Sequence, residues 1–97
     1  MKKSYQRSIT EALVDLGERI SVARRACQFR QAELAERAGV SRSTLAAIEK
    51  GAAGVSIGAY LAVLWALDLL GDVQRLASID TTAHRMMADR LPKRVRS

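Results

Sequence analysis

Several things are scarce in this chain, and each scarcity excludes a class of protein. There is one cysteine, Cys27, so neither an intramolecular disulfide nor a cysteine zinc site can be built. It fits a reducing cytoplasm, and the expectation for it is a small buried hydrophobe. There is one histidine, His84, alone in a polar stretch without a nucleophile or a second ligand beside it. Neither a metal centre nor a catalytic base is expected there. No run approaches the roughly 20 apolar residues of a membrane span. The start, MKKSYQRSIT, is basic but has no apolar run behind it, so it does not read as a signal peptide. Aromatic residues are few: Tyr5, Phe29, Tyr60 and Trp65. The core must therefore come from Leu, Ile, Val and Ala, which suits packed helices. Paired carboxylates in a cleft are missing too. The Gly-rich GAAGVSIG at 51–58 matches neither G-x-G-x-x-G nor a P-loop lysine. No enzyme is expected, and no cofactor.

What is present starts with charge. The 97 residues suffice for one small domain. Sixteen basic residues against ten acidic leave +6. On a chain this size such an excess favours a polyanionic partner, the alternative being a merely soluble basic surface.

The chain is organised around residues 31–50, QAELAERAGVSRSTLAAIEK. A short helix with Leu34, Ala35 and Ala38 on one side meets Gly39, which can take the left-handed conformation a helix end needs. Ser41 can then cap a second short helix, with Leu45 and Ile48 on its apolar face. Two short helices joined by a Gly-containing turn make a helix-turn-helix, whose second helix can enter the DNA major groove.

Gln31, Leu34-Ala35, Ala38-Gly39-Val40-Ser41, Thr44, Ile48-Glu49 and Gly51 together resemble the DNA-binding unit of the Cro/repressor-type helix-turn-helix family. The resemblance runs from about Leu16 to Leu70. It implies an all-α, compact five-helix domain of the Cro and lambda-repressor kind. It also implies an ion pair between Arg24 on the first helix and Glu49 at the end of the recognition helix, the bland alternative being an exposed arginine. By the same resemblance Gln31 positions the DNA backbone, and the loop before Ser56 with the helix start there approaches phosphates. Arg42 and Ser43 lie in the first turn of the recognition helix, which faces base edges in this docking mode. Arginine is the commonest reader of guanine. Ala46 and Ala47 offer only methyl groups, Thr44 suits a phosphate or a thymine methyl, and Lys50 adds charge at the helix end. The expected DNA-binding set is Gln31, Ser41, Arg42, Ser43, Thr44, Ala46, Ala47, Lys50 and Ser56.

The rest of the chain frames this unit. Residues 1–7 read as a flexible basic arm, residues 8–79 as the helix-turn-helix domain, and residues 80–97 as a basic tail for dimerisation or partner binding. Ser8 and Glu11 form an S-x-x-E capping box that can start the first helix. Leu13, Leu16, Ile20, Ala23 and Cys27 then trace one apolar stripe. Gly17 inside that helix permits a kink or close packing. Phe29 should plug the core where the first helix ends. The segment 57–70, IGAYLAVLWALDLL, is apolar on more than one face. Leu61, Leu64 and Leu67 would serve the core. Tyr60, Val63, Trp65 and Leu69 are then left for a dimer or partner interface. Gly71 and Asp72 should break that helix, with Asp72 capping a fifth one through about Ser78. In the tail, Thr81 or Thr82 can cap a short helix, and Pro92 ends it.

The function expected is a sequence-specific DNA-binding regulator, cytoplasmic, homodimeric and reading an operator with paired half-sites. The ending RLPKRVRS resembles the tails of HipB-like antitoxins. That implies an autorepressor paired with a HipA-like kinase toxin. The alternatives are a stand-alone repressor without a toxin and a protein-interaction module that reads no DNA sequence.

Overall fold

A computed structural model describes residues 3–76, with side chains from residue 6 onward. Its five helices are α1 (Lys3–Ala26), α2 (Gln31–Ala38), α3 (Arg42–Glu49), α4 (Ile57–Ala66) and α5 (Leu70–Gln74). No strand occurs among the described residues, so the fold is all-α.

The core forms where the apolar stripes of four helices meet. Ile20 of α1, Leu34 of α2, Leu45 and Ile48 of α3 and Val63 of α4 have essentially no exposed surface. Removing one such side chain from water is worth about 1.5–3 kcal/mol. Ala35, Tyr60, Leu64 and Leu67 complete the buried set. Leu13, Leu16, Ala23, Phe29, Ala38 and Val40 pack around it, half-buried.

Local chemistry explains most of the turns. At the end of α1, Gln28 takes φ 60°. The Phe29 N–H then donates back to the Arg24 carbonyl at 3.1 Å, which turns the ring onto the core. Between α2 and α3, Gly39 sits at φ 71° and ψ 28°, the left-handed geometry that closes a helix. The Ser41 hydroxyl accepts from the Thr44 N–H at 3.0 Å and opens α3. The Ser56 hydroxyl accepts from the Ala59 N–H at 3.2 Å and opens α4.

Elsewhere the structure departs from the sequence reading. The first helix begins at Lys3, five residues before the expected start. Nothing in KSYQR breaks a helix, so Ser8 and Glu11 lie inside α1 and cap nothing. Cys27 is exposed, because α1 ends at Ala26 and its stripe loses phase there. The helix α4 stops at Ala66, four residues before the expected end. Asp68 adopts φ 60°, and the Leu69 N–H reaches the Leu64 carbonyl at 2.8 Å. This left-handed closure returns both Leu67 and Leu69 towards the core. Gly71 and Asp72 therefore lie within α5, and Asp72 is a first-turn residue with no capping role. The expectations for the tail, including Thr81, Thr82, His84 and Pro92, lie outside the described residues.

Candidate nucleic-acid interface

The candidate site is α3 and what holds it. Glu49 ends α3 and faces inward. Arg24 Nε donates to Glu49 Oε2 at 2.7 Å, and a terminal guanidinium nitrogen donates to Oε1 at 3.1 Å. The pair is bidentate and mostly buried, with the side chains 14% and 8% exposed. Another guanidinium N–H reaches the Phe29 carbonyl at 2.9 Å. One arginine thus ties α1 to the α1–α2 turn and to the end of α3. A fork-shaped donor suits this, because two parallel bonds set direction as well as distance.

Gln31 joins the same cluster. Its amide donates to Glu49 Oε1 at 3.3 Å. It braces the recognition helix from the first turn of α2. Burial pushes the Glu49 pKa up, but hydrogen bonds from Arg24 and Gln31, then the Arg24 charge, outweigh it. The net result lies below the ordinary 4.5. Glu49 is therefore a carboxylate at neutral pH, and its charge is neutralised inside the domain.

The outer side of α3 is different. Ser41, Arg42, Ser43 and Lys50 are exposed, while Thr44, Ala46 and Ala47 are half-buried. Ser41 Oγ donates to Thr44 Oγ1 at 2.7 Å and lies 3.1 Å from Ser43 Oγ. The three hydroxyls form a local chain across the helix start. Arg42 stands beside them with its guanidinium outward. Ser56 is exposed at the start of α4.

Two backbone approaches, which sequence alone leaves unassigned, fix where α3 ends. At Gly17 a Cβ would meet the Ile48 carbonyl oxygen at 2.5 Å and the Glu49 one at 2.7 Å. At Gly51, with φ 78°, a Cβ would lie 2.6 Å from the Leu13 carbonyl group. So α1 rests directly on the backbone at the end of α3. The third unassigned feature is Tyr60, whose hydroxyl donates to the Ala52 carbonyl at 2.6 Å and pins the loop after α3. Arg37 also differs from its sequence reading as part of the basic surface: its guanidinium stacks 4.5 Å from the Phe29 ring centre.

The expected dimer or partner set divides. Tyr60 and Val63 belong to the core, 4% and 0% exposed, so they are not an interface. Together with Leu64 and Leu67 they recur at three, four and seven residues, which is one helix face. Trp65 lies off that face and is 62% exposed. Leu69 is half-buried. Among the described residues no group of His, Cys, Asp or Glu could hold a metal, and no helix is long and apolar enough to cross a membrane.

A capped short helix, fixed across a left-handed glycine turn and clamped from behind by Arg24 and Gln31, defines a helix-turn-helix domain of the Cro/repressor type. A family profile described as a helix-turn-helix domain matches residues 15–77, well over half of the chain. The chain belongs to this helix-turn-helix family, whose members typically are DNA-binding regulators and not enzymes. Comparison with curated proteins gave no match, and comparison with solved structures gave none either.

Proposed function

We propose that the chain is a sequence-specific repressor that binds an operator of two half-sites as a homodimer and represses its own operon. The observation that carries this is the placement of charge on α3. Its one acid, Glu49, is turned inward and neutralised by Arg24, while Arg42 and Lys50 stand exposed at its two ends. A duplex therefore meets cations and small groups, with no carboxylate to repel it. Phosphate contacts supply affinity and register, and Arg42 supplies base reading.

The test is an anisotropy titration of labelled duplex from upstream of the gene against a shuffled duplex, at several salt concentrations. The preference expected is about 10³-fold or more. The slope of log K against log salt should be about −0.9 per phosphate contacted. Equal binding to both duplexes would remove the repressor reading and leave the protein-interaction module.

Trp65 supports dimerisation, because a large apolar ring this exposed is a natural contact residue. Sedimentation of Trp65→Ser against wild type tests it: a dimer of unchanged strength would exclude the indole as its anchor.

The ending RLPKRVRS favours a more specific form of the same reading, in which the repressor is the antitoxin of a HipA-like kinase and sequesters it. A kinase reading frame beside this gene, and co-purification of its product, are expected. Without either, the chain is a stand-alone repressor.

A further inference from the structure

We infer that residues 79–91 form an amphipathic helix that folds back, within the same chain, along the projecting half of α1. Leu13 is the first residue of α1 packed on the core, and residues 6–12 are all exposed. The apolar stripe of α1 does not end there. Ile9 and Ala12 continue it at helical spacing from Leu13, Leu16 and Ile20, and Ile9 is 46% exposed. At its inner end the stripe opens into an apolar groove of about 290 Å³ between α1, α4 and α5. Leu16, Ile20, Leu64, Leu69 and Val73 line that groove, and Leu76 stands on its rim, 72% exposed.

The chain thus leaves the described fold beside the stripe that needs covering, and the next residues have the pattern to cover it. Ile79, Ala83, Met86, Met87 and Leu91 recur every three to four residues. The length fits as well. The thirteen residues of α1 from Lys3 to Asp15 span about 20 Å, and residues 79–91, also thirteen, span about 20 Å as a helix. Ala77 and Ser78 remain for the reversal.

Charge points the same way. Between Ser8 and Glu18, α1 carries three acids, Glu11, Asp15 and Glu18, and no base. The segment laid against it carries Arg85 and Arg90, with Lys93, Arg94 and Arg96 following. Asp15 borders the stripe, where a long arginine from a packed helix reaches it. The two helices run antiparallel, so their dipoles oppose favourably.

The test is hydrogen exchange on the full chain, comparing wild type with the double variant Met86→Asp and Met87→Asp. Measurements are made at high and low protein concentration, with mass followed by light scattering. Both substitutions lie outside the domain core, and the core melting transition serves as the folding control. In wild type the amides of residues 8–14 should exchange about tenfold more slowly than in the variant, equally at both concentrations. Identical exchange in the two proteins would overturn the inference. Protection that is lost on dilution as the mass halves would overturn it too, because the occupant would then be a second copy.

Discussion

Replacing Gly17 by alanine should destabilise the protein, although an exposed helix would gain from it. In a helix interior, Gly→Ala is worth about 1 kcal/mol in favour of alanine. Here the new methyl would lie 2.5 Å from the Ile48 carbonyl oxygen, 2.7 Å from that of Glu49 and 2.8 Å from the Gly51 nitrogen. All three are backbone atoms, so no side chain can rotate away. Relief requires α1 to separate from the end of α3 by most of an ångström. Overpacking of this kind costs about 1–3 kcal/mol, and a rigid wall places it at the upper end. Set against the propensity gain, the net loss is about 2 kcal/mol. For a domain of this size that lowers Tm by about 8–16 °C. The separation also pulls Arg24 away from Glu49, so operator affinity should fall with it. The assay is thermal and urea unfolding by circular dichroism, with Gly58→Ala as control. Gly58 is exposed in α4, and its Cβ would meet only the Ser56 hydroxyl at 3.9 Å. The control should be neutral or slightly stabilising. An unchanged or raised Tm for Gly17→Ala would refute the claim that α1 rests on the α3 backbone.

Other perturbations test the clamp and the reading surface. Arg24→Ala strands Glu49 as a mostly buried charge and should cost about 3–5 kcal/mol in urea unfolding. Below its melting point, DNA affinity should suffer less than stability, and lost binding with unchanged melting would contradict this. The lowered Glu49 pKa gives stability that is present above the ordinary 4.5 and is lost as pH falls through the folded value. Glu49→Gln should therefore show a flatter acid limb than wild type, and parallel limbs would count against the clamp. Arg42→Ala should cost about 1–3 kcal/mol at one base position per half-site, read from a panel of single-base operator variants. An equal loss on every duplex would make Arg42 a phosphate contact. Tyr60→Phe leaves the Ala52 carbonyl without its donor and should cost about 1–3 kcal/mol by thermal melting, without touching α3 itself.

The turn around Gly39 and Ser41 is legible in the sequence because each residue solves a local backbone problem, with little help from tertiary context. Ser56 is legible for the same reason. The breaks at Gln28 and Asp68 are not, since nothing local marks those two for positive φ. They are selected by the burial of the apolar residue that follows, Phe29 or Leu69. Gly71 is the stronger local breaker, yet it sits inside α5 because no turn is needed there. In α4 apolar residues surround the axis, so several stripes compete. The one in use, Tyr60, Val63, Leu64 and Leu67, also satisfies a polar constraint, the Tyr60 bond to Ala52, which periodicity does not contain. The close approaches at Gly17 and Gly51 depend on how two helices cross, and one chain read by itself carries no signal for them.

The hydroxyl chain at the start of α3 narrows the reading surface further than composition implies. Ser41, Ser43 and Thr44 look like three polar groups available to DNA. Ser41 is already used as the cap, and its hydroxyl also engages Thr44 and Ser43. A base edge recruiting one of them must compete with an existing bond, so its net gain is about 0.5–1.5 kcal/mol or less. Ala46 and Ala47 add no polar group. Arg42 has no such internal bond among the described residues and keeps all its donors for a guanine. Discrimination therefore rests on one arginine per half-site, on the spacing between half-sites and on DNA shape. A reader this sparse gains most from holding α3 rigidly. This gives the Arg24–Glu49–Gln31 clamp and the backbone contacts at Gly17 and Gly51 a functional weight beyond their share of stability.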